Sequence, residues 1–415
     1  MSAATPALNA SAPTVRRLVQ INTLSFLAQV VQIGTVPAFL ALRLTQTHHS
    51  ALVVGLIAAA PWMAILLLGH RAPRVLARLG FVRTNGVALA LSVVALGGML
   101  LTRSPPLLFG LNLLLGTGLI IRWVACDTWI VAEAPVHLRG RIIGTHETLM
   151  GCGIAAGPAL LALTGVHGLG PLWACLLLLC LSAIVLSQLS EPAGRPAVPE
   201  RGGALRALRL MPTALVAGFL AGYVETSSIS FLPVFSEHAL FALGAAATLG
   251  GFGVGGTVLQ FPLGTLADRC GYRVAQLLCC SVILAGVLAF PLIGHSPALL
   301  LPMLFIWGGA AGGMNTLAVI EAGERMDSAA VSTAMAAIAL AYTVGSITGP
   351  LFVGFATTHF ALLGFLLAIG VATGLFLGAC LIAGLTAARA RSSAAADRPG
   401  ALSSPSSLPQ PTLSP

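Results

Sequence analysis

Residues 264–273 read GTLADRCGYR, and residues 73–83 read PRVLARLGFVR. Both segments carry an arginine, a glycine and a second arginine in the same order, and Gly80 and Gly271 lie 191 residues apart. A second pattern, GxxxGP, occurs at 153–158 and again 192 residues later at 345–350. Because two independent motifs are repeated at nearly the same spacing, the sequence predicts two similar halves that run in the same orientation.

The composition predicts a protein that lies in a membrane. Of the 415 residues, 57% are apolar and only 8% are charged, and the mean hydropathy is +0.95. A soluble domain carries roughly 25% charged residues, so this chain could not cover a soluble surface. The composition excludes a soluble enzyme, a nucleic-acid-binding protein and a disordered chain.

Long apolar runs divide each half into six segments. A membrane-spanning helix needs about 20 apolar residues, and unpaired backbone groups are not tolerated in lipid. The sequence therefore predicts an all-α, polytopic membrane protein with twelve transmembrane helices, at about 17–42, 51–70, 82–102, 107–133, 142–165, 169–189, 210–235, 241–265, 273–294, 298–322, 330–356 and 360–387. We expect a disordered N-terminal tail (1–15), two six-helix halves (16–189 and 210–387), a cytoplasmic linker (190–209) and a disordered cytoplasmic tail (388–415).

Arginine placement predicts the orientation. All 21 basic residues are arginine, and 18 of them fall in loops or tails on one side, against Arg43 and Arg103 on the other. Since positive charge is retained in the cytoplasm, we expect both termini on the cytoplasmic side of an inner (cytoplasmic) membrane. The same distribution argues against nucleic acid as a partner, because the charge is spread over short loops.

These features resemble the major facilitator superfamily. GTLADRCGYR between spans eight and nine is similar to that family's cytoplasmic motif, and VLQFPLGTLADRCGYR with YTVGSITGP is similar to its YcaD-like branch. The resemblance implies a permease with a conformational latch that holds the outward-facing state, formed by Gly264, Asp268, Arg269, Gly271 and Arg273. In the first half the equivalent of the aspartate is Ala77.

The glycine–proline motifs favour either close helix packing or gating, because small residues let helices approach and proline bends a span. The motif in span five resembles the family's antiporter motif, but Leu161 and Ala162 replace its final glycine pair, which weakens an inference of efflux. The packing and gating residues are Gly153, Gly157, Pro158, Gly345, Gly349 and Pro350.

Polar residues inside the spans are candidate functional groups, because they are costly in lipid. Asn22, Ser25, Gln29 and Gln32 form a polar stripe on span one. Span four carries Arg122 and, five residues later, Asp127. These two side chains could bind each other as an internal brace, an Arg–Asp ion pair, or they could line a cavity. The substrate cavity is predicted from Gln29, Gln32, Arg122, Trp123, Asp127 and Asn315.

Glu225 is the main candidate for proton coupling. It is a lone acid near the centre of span seven, and an alignment of Pro37 with Pro233 places Gln29 opposite it in the repeat. Burial disfavours the charged form of a carboxylate, which is what a proton-coupling group requires. Asp127 is the second candidate. Acids near the span ends, such as Glu133 and Glu321, are expected to form gate or loop ion pairs.

The sequence predicts a secondary active transporter that moves a small organic solute by alternating access, with protons as the favoured coupling ion. Efflux by antiport and uptake by symport stay open. A membrane sensor or lipid-handling protein is the alternative from another class. We expect membrane lipid around a monomer, no cofactor, and no metal, because no His, Cys and acidic set has ligand spacing on one helix face.

Overall fold

The computed structural model is all-helical and describes residues 12–133, 139–191, 211–237, 243–325 and 328–396. A π-helical segment, Val30–Thr35, joins α1 to α2, and a 3-10 turn, Gly69–Arg71, joins α3 to α4. The helices are α1 Ala12–Gln29, α2 Val36–Gln46, α3 Ala51–Leu68, α4 Ala72–Leu79, α5 Phe81–Leu101, α6 Pro105–Glu133, α7 Arg139–Thr164, α8 Gly170–Ser187, α9 Pro212–Glu237, α10 Ala245–Val258, α11 Gln260–Cys270, α12 Tyr272–Ile293, α13 Pro297–Arg325 and α14 Ser328–Ala396.

The described helices fit twelve membrane crossings. Nine segments are long and apolar enough to cross a membrane. One of them, Ala334–Leu381, is 48 residues long and breaks at Ala361, whose φ is 50°, so it makes two crossings. Two shorter apolar helices, Thr148–Thr164 and Ala245–Val258, occupy the positions of spans five and eight. Large apolar side chains face outward, and Leu101 is 91% exposed, as expected for a lipid-facing surface.

Three sequence expectations need correction. Span eight is not one helix, because a turn at Leu259 separates α10 from α11, with Pro262 in the first turn of α11. The N-terminal helix begins at Ala12, inside the predicted tail. The last helix continues to Ala396 through an alanine-rich stretch that favours helix, so residues 388–396 are helical. Residues 1–11, most of the linker (192–209) and 397–415 lie outside the described residues.

The glycine motifs pack equivalent helix pairs in the two halves. A Cβ at Gly157 would overlap the backbone of Gly34 in the π segment, and one at Gly345 would overlap the carbonyl of Phe219 in α9. Span five therefore packs directly on span one, and span eleven on span seven. This is the close approach that small residues permit.

Among the described residues, the two halves are in close backbone contact at one end of the bundle. We call the end that carries residues 71–83 and 269–273 the Arg-rich end, and the opposite end the far end. At the far end, Gly55 of α3 lies against the carbonyl of Pro350, and the Leu52 N–H donates to Thr358 Oγ1 at 3.0 Å. Two ion pairs at the Arg-rich end, Arg17–Glu133 and Arg325–Glu321, each stay within one half.

Candidate functional site

A cleft lies between the two halves, near the middle of the bundle. Its walls are small and apolar residues of the π segment, α7, α9, α10 and α13, and its polar groups are Glu225, Thr257 and Gln260. Pro158 and Leu249 lie toward the far end, while Gln260 is exposed on the side of the Arg-rich end. The volume of the cleft is about 60 Å³. The cleft is therefore narrow and opens toward the Arg-rich end.

Glu225 is the acid on this cleft. The Tyr342 hydroxyl donates to Glu225 Oε2 at 2.9 Å, and the Tyr342 ring lies edge-on to Trp62 of the first half, with ring centroids 5.6 Å apart. No ion pair joins Glu225 to a basic residue in the described ranges. Tyr342 was not among the residues chosen from the sequence, and a lone tyrosine in span eleven was the signal available. One carboxylate oxygen is thus held by a neutral donor whose ring also contacts the other half.

The glycine contacts give two different offsets between spans one and seven. Gly153 lies against the carbonyl of Phe26 and its equivalent Gly345 against that of Phe219, an offset of 193 residues. Gly157 lies against the carbonyl of Gly34 and its equivalent Gly349 against that of Tyr223, an offset of 189 residues. The pairing of Gln29 with Glu225 in the repeat therefore stays a prediction.

Arg122 lies within the first half, behind the cleft. Its Nε donates to Gln32 Oε1 at 3.2 Å and its Nη2 donates to Gln29 Oε1 at 3.3 Å. Arg122, Gln29 and Gln32 are only 4%, 2% and 3% exposed. We expected these side chains to line the substrate cavity, but here they turn away from it, because a buried guanidinium needs acceptors. Trp123 does face the region between the halves, where it packs with Ile33 and Trp62.

Asp127 is held by a histidine and not by Arg122. Asn22 Nδ2 donates to the Leu18 carbonyl at 2.8 Å, which turns its amide oxygen toward His146 Nδ1, 2.8 Å away. His146 Nε2 lies 3.2 Å from Asp127 Oδ1. Asp127 therefore contacts His146, and no hydrogen bond or ion pair joins Asp127 to Arg122 among the described residues.

The match to a known family covers most of the chain. The sequence profile of the Major Facilitator Superfamily (MFS) matches residues 21–350. The chain belongs to the Major Facilitator Superfamily. It is therefore a multi-pass secondary transporter and not an enzyme, and the resemblance read from its motifs is confirmed.

Relatives and solved structures agree with this assignment. The chain is 26% identical to YfkF of Bacillus subtilis (strain 168), named an uncharacterized MFS-type transporter, over 73% of this chain and 77% of YfkF. It is 24% identical to YcaD of Escherichia coli O139:H28, also named uncharacterized, over 84% and 91% of the two chains. The crystal structure of the nucleoside transporter NupG matches with a TM-score of 0.73 at 13% identity, over 88% of this chain and 98% of NupG. The predicted twelve-helix MFS fold is confirmed.

The segment Gly264–Arg273 ends helix α11 and begins helix α12. Gly264 lies in helix α11 with open space around it, and the turn is made at Gly271, whose φ is 84°. Asp268 lies in the last turn of α11, before α12 begins, so it does not cap a helix N-terminus. Its exposed carboxylate makes no hydrogen bond to any described residue.

A carboxylate caps the start of α5 in the first half. Glu191, at the end of span six, accepts from the N–H groups of Phe81 and Val82 at 2.8 Å each and from that of Arg83 at 3.4 Å. These are donors in the first turn of α5 that have no partner within the helix. Sequence reasoning placed Glu191 in the linker and missed it, although it was the first acid after span six.

The remaining predicted polar residues are structural or lie beside the cleft. Glu321 is fully buried and binds Thr213, Gln276 and Arg325 within the second half. This ion pair agrees with the expected role of the acids near the span ends. Asn315 is half-buried and lies two turns beyond the cleft residue Gly308 on the same side of α13.

Proposed function

We propose that this MFS transporter moves a small organic solute by alternating access and that protons drive it through Glu225. The observation that carries the proposal is the position of Glu225, a half-buried acid on the cleft with a neutral donor on one oxygen and no basic partner among the described residues. An ionised carboxylate is costly at this depth. It would release its proton when water reaches the cleft and hold it when the cleft is dry.

The arrangement of the halves supports alternation. The far end is closed by backbone-to-backbone contacts at Gly55 and Gly354, while the cleft runs to exposed Gln260 at the Arg-rich end. Closing that end and opening the far end would move Tyr342 and Trp62 apart or past one another, because they belong to different halves. Protonation of Glu225 would then be coupled to the contact between the halves through Tyr342.

The cleft favours a small solute with both polar and apolar parts. Drug-sized ligands fill pockets of about 300–1,000 Å³, far more than the space open here, so the cleft must widen to admit any of them. Its wall offers a carboxylate, a hydroxyl and an amide among apolar groups. A small organic molecule that donates hydrogen bonds fits this chemistry.

Asp127 and His146 form the rival proton site. His146 Nε2 lies 3.2 Å from Asp127 Oδ1, and the Asp127 side chain is 39% exposed. This site is more open to water than Glu225, so it exchanges protons with less dependence on the state of the cleft. We therefore favour Glu225 for coupling.

The test uses purified protein in proteoliposomes with a pH gradient. A panel of nucleosides, sugars, amino acids and organic acids is screened for solute-induced proton movement. For a solute that responds, Glu225→Gln should keep exchange of the labelled solute but abolish accumulation driven by the gradient. The direction of proton movement also separates symport from antiport.

Asp127→Asn is the discriminating variant, and Glu324→Gln is the control acid at the Arg-rich end. Accumulation that survives Glu225→Gln but is lost in Asp127→Asn would place the proton site on span four. If accumulation survives in both, protons do not drive transport through either acid, and sodium coupling or facilitated diffusion becomes the better account.

We also propose that both termini lie in the cytoplasm of an inner membrane and that the chain works as a monomer. The arginine asymmetry supports the orientation, and both halves of the cleft come from one chain. Tags placed before residue 12 and after residue 396 should be accessible only from the cytoplasm. A periplasmic signal from either tag would overturn the orientation.

A further inference from the structure

The charge on the cleft between the two halves is of one sign. Glu225 is the only charged side chain in the described lining, and the other lining residues are apolar or glycine, apart from Thr257 and Gln260. The buried cation of the first half, Arg122, does not line the cleft and donates to two glutamine oxygens behind it. A solute in the cleft therefore meets a carboxylate and no positive group.

One oxygen of Glu225 is available to a solute. The Tyr342 hydroxyl donates to Oε2 at 2.9 Å, whereas Oε1 has no hydrogen-bond partner among the described residues. The lining holds no other titratable side chain, so Tyr342 is the one titratable group that faces Glu225 in the described ranges. An ionised carboxylate at this depth needs a positive partner, and the described part of the cleft supplies none.

Aromatic rings adjoin the cleft close to its acid. Ile33 and Ile154 line the cleft, and both belong to one apolar cluster with Trp62, Trp123 and Tyr342. The face of an aromatic ring attracts an organic cation, and tryptophan does so most strongly. Because Trp62 and Tyr342 belong to different halves, widening of the cleft would separate them and expose ring surface beside the carboxylate.

We propose that the solute is an organic cation, with an ammonium or similar positive group beside an apolar part, and that its positive group binds Glu225 in place of the proton. This inference rests on the proposed function, because it names the class of solute that the same site carries. The cleft must widen to admit the cation, as it must for any solute of this size. The positive group then contacts the free Oε1, and the apolar part lies against the rings and the apolar wall.

The single carboxylate also determines how the cation and the proton interact. One carboxylate neutralises one positive charge at a time, so the two exclude each other at Glu225. A cycle that binds them alternately exchanges one for the other, which is antiport. A neutral solute would not displace the proton, and an anion would be repelled by the ionised acid.

The test compares benzyltrimethylammonium, benzyl alcohol and phenylacetate, which share a benzyl group and differ in charge. Their binding to the purified full-length protein is measured by calorimetry from acidic to alkaline pH, without a gradient. Benzyltrimethylammonium is permanently charged, so a change of its affinity with pH comes from the protein. Its affinity should rise with pH, because the ionised carboxylate binds the cation and the protonated one does not. If either other compound binds as tightly, or if none of them binds, the proposed class of solute is wrong.

Variants locate the charge and the ring. Glu225→Gln should weaken binding of benzyltrimethylammonium about thirtyfold and remove its pH dependence. Trp62→Leu should weaken binding about threefold and keep the pH dependence. Trp173→Leu is the matched control, because Trp173 is exposed on the outer surface, and it should bind as the wild type does. Binding that keeps its affinity and pH dependence in Glu225→Gln contradicts the proposal.

The outcomes distinguish this inference from the proposed function. If Glu225→Gln abolishes gradient-driven accumulation of a neutral solute and the cation does not bind, the proton site stands and the cation class fails. If the cation binds through Glu225 but a pH gradient drives no transport, the cation site stands and proton coupling fails.

Discussion

Removing the carboxylate of Glu191 should loosen the start of α5. The side chain accepts three backbone N–H groups from Phe81, Val82 and Arg83. Replacing a helix cap with alanine costs about 0.5–2 kcal/mol, and the charge at a helix N-terminus adds about 0.3–1 kcal/mol. Glu191 is exposed to solvent, which screens the charge, so we expect a loss of about 1 kcal/mol for Glu191→Ala. Glu191→Gln keeps an acceptor oxygen and should lose less.

The assay is hydrogen exchange of the amides at 81–83, combined with the free energy of unfolding of the purified protein. Glu324→Ala is the matched control, since Glu324 is an exposed acid at the same end with no hydrogen bond to a described residue. Exchange at 81–83 should rise in Glu191→Ala, rise less in Glu191→Gln and stay unchanged in the control. Phe81 stacks on Trp129, with centroids 5.0 Å apart, so tryptophan fluorescence provides a second local signal. If Glu191→Ala matches the control by both measures, the cap contributes nothing.

Two further substitutions test the packing motif and the cytoplasmic motif. Gly157→Ala should destabilise the protein by about 1–3 kcal/mol, because its Cβ would overlap the backbone of Gly34. Gly374→Ala is the control, since Gly374 has open space around it, and it should be neutral or slightly stabilising. Equal unfolding free energies for the two variants would contradict this packing. Asp268→Asn should leave stability and expression nearly unchanged, since the carboxylate is unpaired among the described residues. It should slow solute exchange if Asp268 stabilises the outward-facing conformation. Unchanged exchange would mean that the segment Gly264–Arg273 is only a basic loop that sets the membrane topology.

The fold was predictable because each membrane crossing is determined by a local run of apolar residues. Runs of apolar residues identify spans without knowledge of their neighbours, and the repeated GxxxGP motif at Gly157 and Gly349 indicated which helices approach closely. The break at Leu259 was not predictable in this way, because no charge marks the turn and apolar residues, Val258 and Phe261, lie on both sides of it.

The candidate site was only partly predictable, because side-chain partners depend on three-dimensional packing. Glu225 stood out as a lone acid in an apolar span, and the structure places it on the cleft. The same reasoning put Arg122 there, but whether a polar stripe faces a cleft or a buried cation depends on how span one packs against span four. The contact of His146 with Asp127 was not predictable from the sequence, because it depends on the position of span five.

The central claim is that the two halves alternate and that Glu225 senses the proton. It is tested most directly by electron-spin distance measurements on two labelled pairs in a background without native cysteines. One pair, at 79 and 270, spans the Arg-rich end, and the other, at 47 and 359, spans the far end; all four positions are exposed. From acidic to alkaline pH, we expect one distance to lengthen as the other shortens, with Glu225→Gln fixed at the acidic distribution. Distances that change together, or a Glu225→Gln protein that still responds to pH as the wild type does, would contradict the account.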